Sequence, residues 1–382
     1  MTAGALALLV AGCSSGSSGT TTSPTTGVSS TTSSTTAAAP KTSTTVQTSA
    51  AGCAPEPPSD RPDPYGTQVG WIQMVSSTRG YAVVGRAVVG TTDGRRWTVL
   101  YRAPEPPSYV NAPNANDVLV TGPHIVAASS DGGATWTVQP AQPAIRKPHF
   151  VNALLGWAVS ARALVRSTDG ARSWHAQRAP CPVDGVCFDT ARDGWLATHR
   201  AVFHTADGGA QWTQALVAID ANAAYGSALD LQCSPNAGWV LFGGGNGAAG
   251  HEAYVGYRCA ASGGCAIVVR NNFMAPAVPG KDGPGASPGP FSVIDDHTAA
   301  FVGYTGPVDP PMSIMIVGND GSARGAVHQV PDPSSPPATP EAVSFTSASR
   351  GWLLDSTSSE MHILATTDGG RTWSLQYRGP AS

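Results

Sequence analysis

From about residue 67 onward, apolar runs only a few residues long alternate with polar breaks rich in Gly and Pro. The sharpest runs open on Gly and an aromatic: Gly80-Tyr81-Ala82-Val83, Gly156-Trp157-Ala158-Val159, Gly194-Trp195-Leu196-Ala197, Gly238-Trp239-Val240-Leu241 and Gly351-Trp352-Leu353-Leu354. Asp117-Val118-Leu119-Val120 and Ala300-Phe301-Val302-Gly303 are degenerate versions. Runs this short, bounded by turn residues, predict strands. A helical period is not sustained anywhere, and 44 Gly with 32 Pro argue against long helices.

A second pattern follows these strands. Ser129–Trp136 reads SSDGGATW, Ser167–Trp174 STDGARSW, Thr205–Trp212 TADGGAQW and Thr366–Trp373 TTDGGRTW; Thr91–Trp97, TTDGRRW, is one residue shorter. Asp93, Asp131, Asp169 and Asp207 are 38 residues apart, a period that signifies stacked supersecondary units. Asp-Gly supplies the positive φ of a tight hairpin, and the carboxylate accepts backbone N–H bonds within the loop. The Trp then opens the outgoing strand, where it covers the turn and meets a neighbouring unit. The aspartates, with Asp368, and Trp97, Trp136, Trp174, Trp212 and Trp373 are therefore read as structural.

Each unit reads as four strands; for the third these fall near 149–152, 157–160, 164–167 and 173–177. Four short strands and their turns fit in 38 residues. Seven strand signals against five visible Asp turns place two degenerate turns at Asn319-Asp320-Gly321-Ser322 and Ser262-Gly263-Gly264. The expected fold is all-β, a seven-bladed β-propeller over 67–382; six blades with one irregular insertion is the alternative.

The amino end differs. Residues 3–12 are apolar but too few to span a bilayer, and suit a signal-peptide core. Val10-Ala11-Gly12-Cys13 resembles the bacterial lipoprotein cleavage box, which implies lipidation of Cys13 and 1–13 as signal; the departure is that no Lys or Arg precedes the run, and the true start is expected upstream. Of the 39 residues in 14–52, 24 are Ser or Thr, too polar to bury a core. With the Pro-rich stretch after it, 14–66 is read as a disordered tether; its Ser/Thr-rich part has a coil reach of roughly 35 Å.

Apart from Cys13, six cysteines remain, an even number suited to an oxidising compartment. Cys259 and Cys265 flank a turn, Cys181 and Cys187 bracket a loop between blades, and Cys53 with Cys233 remain by subtraction. No ligand spacing for a metal accompanies them, and no cofactor motif appears.

The Asp turns resemble the Asp-box, or bacterial neuraminidase, repeat. The run from Gly-Trp-Ala-Val to Thr-Thr-Asp-Gly-Gly-x-Thr-Trp resembles the seven-bladed propellers of the photosystem II stability and assembly-factor type, which implies a binding scaffold. Sialidases share the boxes but also need an Arg cluster and a Tyr nucleophile activated by Glu. Their Arg-Ile-Pro signature is absent: Ile145-Arg146-Lys147-Pro148 has another order and is read as an exit loop. Glu56, Glu105, Glu252, Glu341 and Glu360 stand beside Pro or in loop-like stretches, without a paired acid and base.

One charged pattern rises above the scaffold. Arg86, His124, Arg162 and Arg200 each stand seven residues before an Asp of the 38-residue series, in the turn between the second and third strands. A propeller makes such positions adjacent on the rim opposite the Asp turns, and Arg grips carboxylate or phosphate. His199 and His251 extend the arc. A net charge of −3 gives no case for nucleic acid. The resulting expectation is a monomeric, lipid-anchored, non-catalytic propeller on the extracytoplasmic face of a bacterial membrane, holding a protein or anionic ligand, a cell-envelope glycan among them. A secreted sialidase-like exo-glycosidase or a lectin is the alternative.

Overall fold

The computed structural model describes Cys53 and residues 70–140, 143–216, 227–243, 252–271, 280–304, 312–318, 325–330 and 338–381. The signal, Cys13 and the body of the tether lie outside the described residues, as do His251 and the Asn319–Ser322 turn. Seven four-stranded antiparallel sheets follow one another along the chain, each in the order of its strands. They occupy 71–102, 109–140, 146–177, 185–216, 227–271, 287–329 and 339–380, with no helix among the described residues. Each sheet's first strand packs on the first strand of the next, and the seventh returns to the first. The fold is a seven-bladed β-propeller, so the six-bladed alternative falls.

Blade three has strands Arg146–Phe150, Gly156–Ser160, Ala163–Ser167 and His175–Gln177, close to the expected positions. Arg146, Lys147 and Pro148 belong to the first of these and not to an exit loop. Blade six likewise recruits Ser287–Val293 as its first strand, out of the Gly/Pro-rich stretch before it.

The Gly-aromatic pattern has a packing cause. Gly194 opens its strand opposite Phe188, and a Cβ there would lie 2.4 Å from the ring. Trp157 of blade three stacks on the same Phe188 with ring centroids 3.6 Å apart. Gly is thus needed where the aromatic ends of two blades press together. Trp157, Trp195, Trp239 and Trp352 are at most 1% exposed. Of the Asp-turn tryptophans only Trp97 is buried; Trp136, Trp174, Trp212 and Trp373 are half-buried over the blade joints.

One position in each first strand ties its blade to the next. Gln73 Oε1 accepts the Ala112 N–H at 2.8 Å, Asn111 Oδ1 the Phe150 N–H at 2.9 Å and His149 Nδ1 the Phe188 N–H at 3.4 Å. Gln232 Oε1 accepts from Val293 N at 3.0 Å, Ser292 Oγ from Phe345 N at 2.9 Å and Ser344 Oγ from Met74 N at 2.9 Å, which closes the circle. Between blades four and five the position is Cys187, and the link is a disulfide to Cys233.

That belt corrects the expected pairing of cysteines. Cys259–Cys265 closes the Ser262-Gly263-Gly264 hairpin as expected, but Cys181 pairs with Cys53 and Cys187 with Cys233. Cys187 belongs to the belt and is directed at blade five. Cys181 lies in the connection between blades three and four, where Cys53 packs beside Pro180.

Candidate functional site

The antiparallel order gives the propeller two rims. One carries the turns between first and second strands together with the Asp turns. The other carries the turns between second and third strands and the connections between blades.

On the first rim the Asp turns are closed devices. Asp131 Oδ1 accepts from Ser129 Oγ at 2.8 Å and Thr135 N at 2.9 Å, and Oδ2 accepts from Thr135 Oγ1 at 2.6 Å. Asp368 repeats this with Thr366 and Thr372, and Asp169 with Ser167 and Ser173. Asp93 instead takes the Arg95 and Arg96 N–H groups, and Asp207 the Gln211 N–H. These donors favour the carboxylate: the Thr135 and Thr372 bonds lower the pKa of Asp131 and of Asp368 to about 2. Gln139, Gln177 and Gln376 each donate to a carbonyl of the next blade's Asp turn, at Ala171, Gly208 and Gly94. Clefts of about 220, 530 and 650 Å³ lie in the joints between blades two and three, seven and one, and six and seven. None of the three is lined by Arg86, His124, Arg162 or Arg200.

On the second rim, Arg86, His124, Arg162 and Arg200 all occupy the turn between second and third strands of blades one to four. Arg86 and Arg200 are exposed. His124 is exposed too, but Glu105 holds it, accepting the backbone N–H at 2.6 Å and contacting Nδ1 at 3.0 Å. Burial works against ionisation of Glu105, yet the His124 bonds outweigh it and lower its pKa. Arg162 stands in a left-handed turn with Ala161 (φ 65° and 46°), and its Nη2 lies 3.2 Å from Asp184 Oδ1. His199 is half-buried beside Arg200.

Two arginines not singled out by the turn register join this face. Arg102 ends the fourth strand of blade one opposite Ala87, and Arg178 directly follows the fourth strand of blade three. Both are exposed, and both stand nine residues past the Asp of their blade, the spacing that marks them in sequence.

The glutamates are committed elsewhere. Glu341 is within a strand, buried against the Ser356 hydroxyl, and Glu360 opens a strand beside His362 and Arg378, so neither is a loop residue. His362 Nδ1 contacts Asp355 at 2.8 Å in the same blade.

Fold and site together define a seven-bladed propeller with closed Asp turns on one rim and a basic arc on the other. No protein-family model matches the chain, and no curated protein does. Among solved structures, YCF48 bound to D1 peptide has a TM-score of 0.47 and 16% identity, covering 71% of this chain and 80% of that one. YCF48 from Cyanidioschyzon merolae has a TM-score of 0.48 and 16% identity, covering 68% of this chain and 80% of its own. An ancestral GH74 enzyme has a TM-score of 0.51 and 14% identity, covering 80% of this chain but 45% of its own. At these identities the likeness is one of fold.

Proposed function

We propose that this chain is a non-catalytic, lipid-anchored propeller on the extracytoplasmic face of a membrane, holding an anionic partner on the rim opposite the Asp turns. The observation that carries the reading is that Arg86 and Arg200 stand exposed at the same turn of two blades of this rim. The Ser/Thr-rich tether and the Val10-Ala11-Gly12-Cys13 box support the anchor, the disulfides an oxidising compartment. Each exposed guanidinium offers bidentate bonds to carboxylate or phosphate. The Asp-box resemblance adds a scaffold and no chemistry, because the Asp and Trp side chains are spent within the turns and joints.

Crosslinking in intact membranes, read for protein and lipid adducts alike, tests this by comparing the native chain with Arg86→Glu/Arg200→Glu. The native chain is expected to give adducts through the arc, and the folded double variant to lose them. Identical adducts from both overturn the reading.

A further inference from the structure

The basic charge of this rim is concentrated in blades one to four. Arg86, Arg102, Arg178 and Arg200 are exposed there with no ion-pair partner among the described residues. The carboxylates Glu105 and Asp184 of the same half are already engaged by His124 and Arg162. The Asp-turn rim of the same blades mixes signs, with Asp93 beside Arg95 and Arg96, and Asp207 near Arg192.

The chain also enters at this half-rim. Cys53 is bonded to Cys181, three residues beyond Arg178, and Val183 donates its N–H to the Arg162 carbonyl at 2.7 Å. Cys53, the described residue nearest the amino end, is therefore stapled to the stretch that follows Arg178.

Among its described residues the rim lacks what a protein interface is built on. Such interfaces rest on a few desolvated aromatic or aliphatic anchors. Yet Val99, Val138, Leu154, Val327 and Leu375, the exposed large apolar side chains among the described residues, lie on outer strands or at the Asp-turn rim. A face offering charge without apolar anchors suits a surface of anionic headgroups, where each Arg adds about fivefold to binding.

We propose that the basic half-rim is a docking face for an anionic lipid surface, the membrane that the tether serves. This rests on the binding reading above and names its partner. A tether rooted inside the arc turns docking into an intramolecular event of high effective concentration, so the propeller lies with its arc toward the membrane and its Asp turns away.

The test uses the full chain carrying Cys13→Ser, so that no lipid anchor contributes, with phosphatidylcholine vesicles containing or lacking phosphatidylglycerol. Sedimentation is expected to show binding only with phosphatidylglycerol, weakening as salt is raised and the screening length drops below about 8 Å. Arg86→Glu/Arg200→Glu is expected to weaken it at least about tenfold, while Arg95→Glu/Arg96→Glu on the other rim leaves it unchanged. Binding that ignores phosphatidylglycerol, or falls equally in both variants, overturns the proposal. If vesicles are not bound but the arc still governs protein adducts in membranes, this inference fails and the binding rim stands. If both are lost, the rim itself is wrong.

Discussion

At the scale of single residues, two sets of side chains give the protein two distinct responses to acid. His149 accepts the Phe188 N–H through Nδ1, and burial in the blade joint lowers its pKa from 6.5 to about 4. The unfolded chain therefore takes up a proton that the folded chain refuses. Stability is full above pH 6.5 and falls as pH drops toward about 4. Asp131 and Asp368 have folded pKa values of about 2 against 3.8, so their contribution is present above pH 3.8 and is lost toward pH 2. Urea midpoints across pH should thus decline in two steps. In His149→Asn, which keeps an acceptor like Asn111, the step between pH 6.5 and 4 should vanish and the lower one remain; an unchanged upper step contradicts the role of His149. The Asp turns were legible because one residue type recurs in them. The belt was not, because Gln, Asn, His, Cys and Ser share its position, although Gln73, Asn111, His149 and Cys187 keep the same 38-residue spacing.

Strands and joints obey the same logic one level up. Trp195 is 1% exposed in the joint to blade five, whereas Trp212 is half-buried at the edge of the joint before it. Trp195→Ala should cost about 3–5 kcal/mol, and Trp212→Ala about half as much, compared by urea unfolding. An equal loss would mean that both tryptophans carry the same share of packing. Breaking Cys187–Cys233 by Cys187→Ala/Cys233→Ala should cost about 2–5 kcal/mol. Cys187→Asn/Cys233→Ala should regain about 1 kcal/mol, because the Asn oxygen then accepts the residue 233 N–H as Asn111 accepts that of Phe150. No regain means that the belt geometry does not carry over to this joint. Strand order was readable from Gly-aromatic runs and Asp turns. Cysteine pairing was not, because proximity in sequence favoured Cys181 with Cys187, while the first strand of blade four directs Cys187 into the next blade.

The seven blades form a ring whose two rims are built differently. The Asp-turn rim spends its polar groups on itself. The opposite rim of blades one to four leaves Arg86, Arg102, Arg178 and Arg200 exposed, with Arg178 three residues before the Cys181 to which Cys53 is stapled. Blade number was within reach of the sequence because each blade keeps its second-strand signal even where its Asp turn has decayed. Half of the basic face was legible from a register count. The rest needed the fold, which sets Arg102 against Ala87 and pairs His124 with Glu105 and Arg162 with Asp184. Arginine labelling by phenylglyoxal, in intact membranes against the purified chain, measures the central claim directly. Arg86, Arg102, Arg178 and Arg200 should be protected in membranes, while Arg95 and Arg96 label equally in both. Arc arginines that label as fast in membranes as in solution, or protection at Arg95 and Arg96 instead, would contradict it.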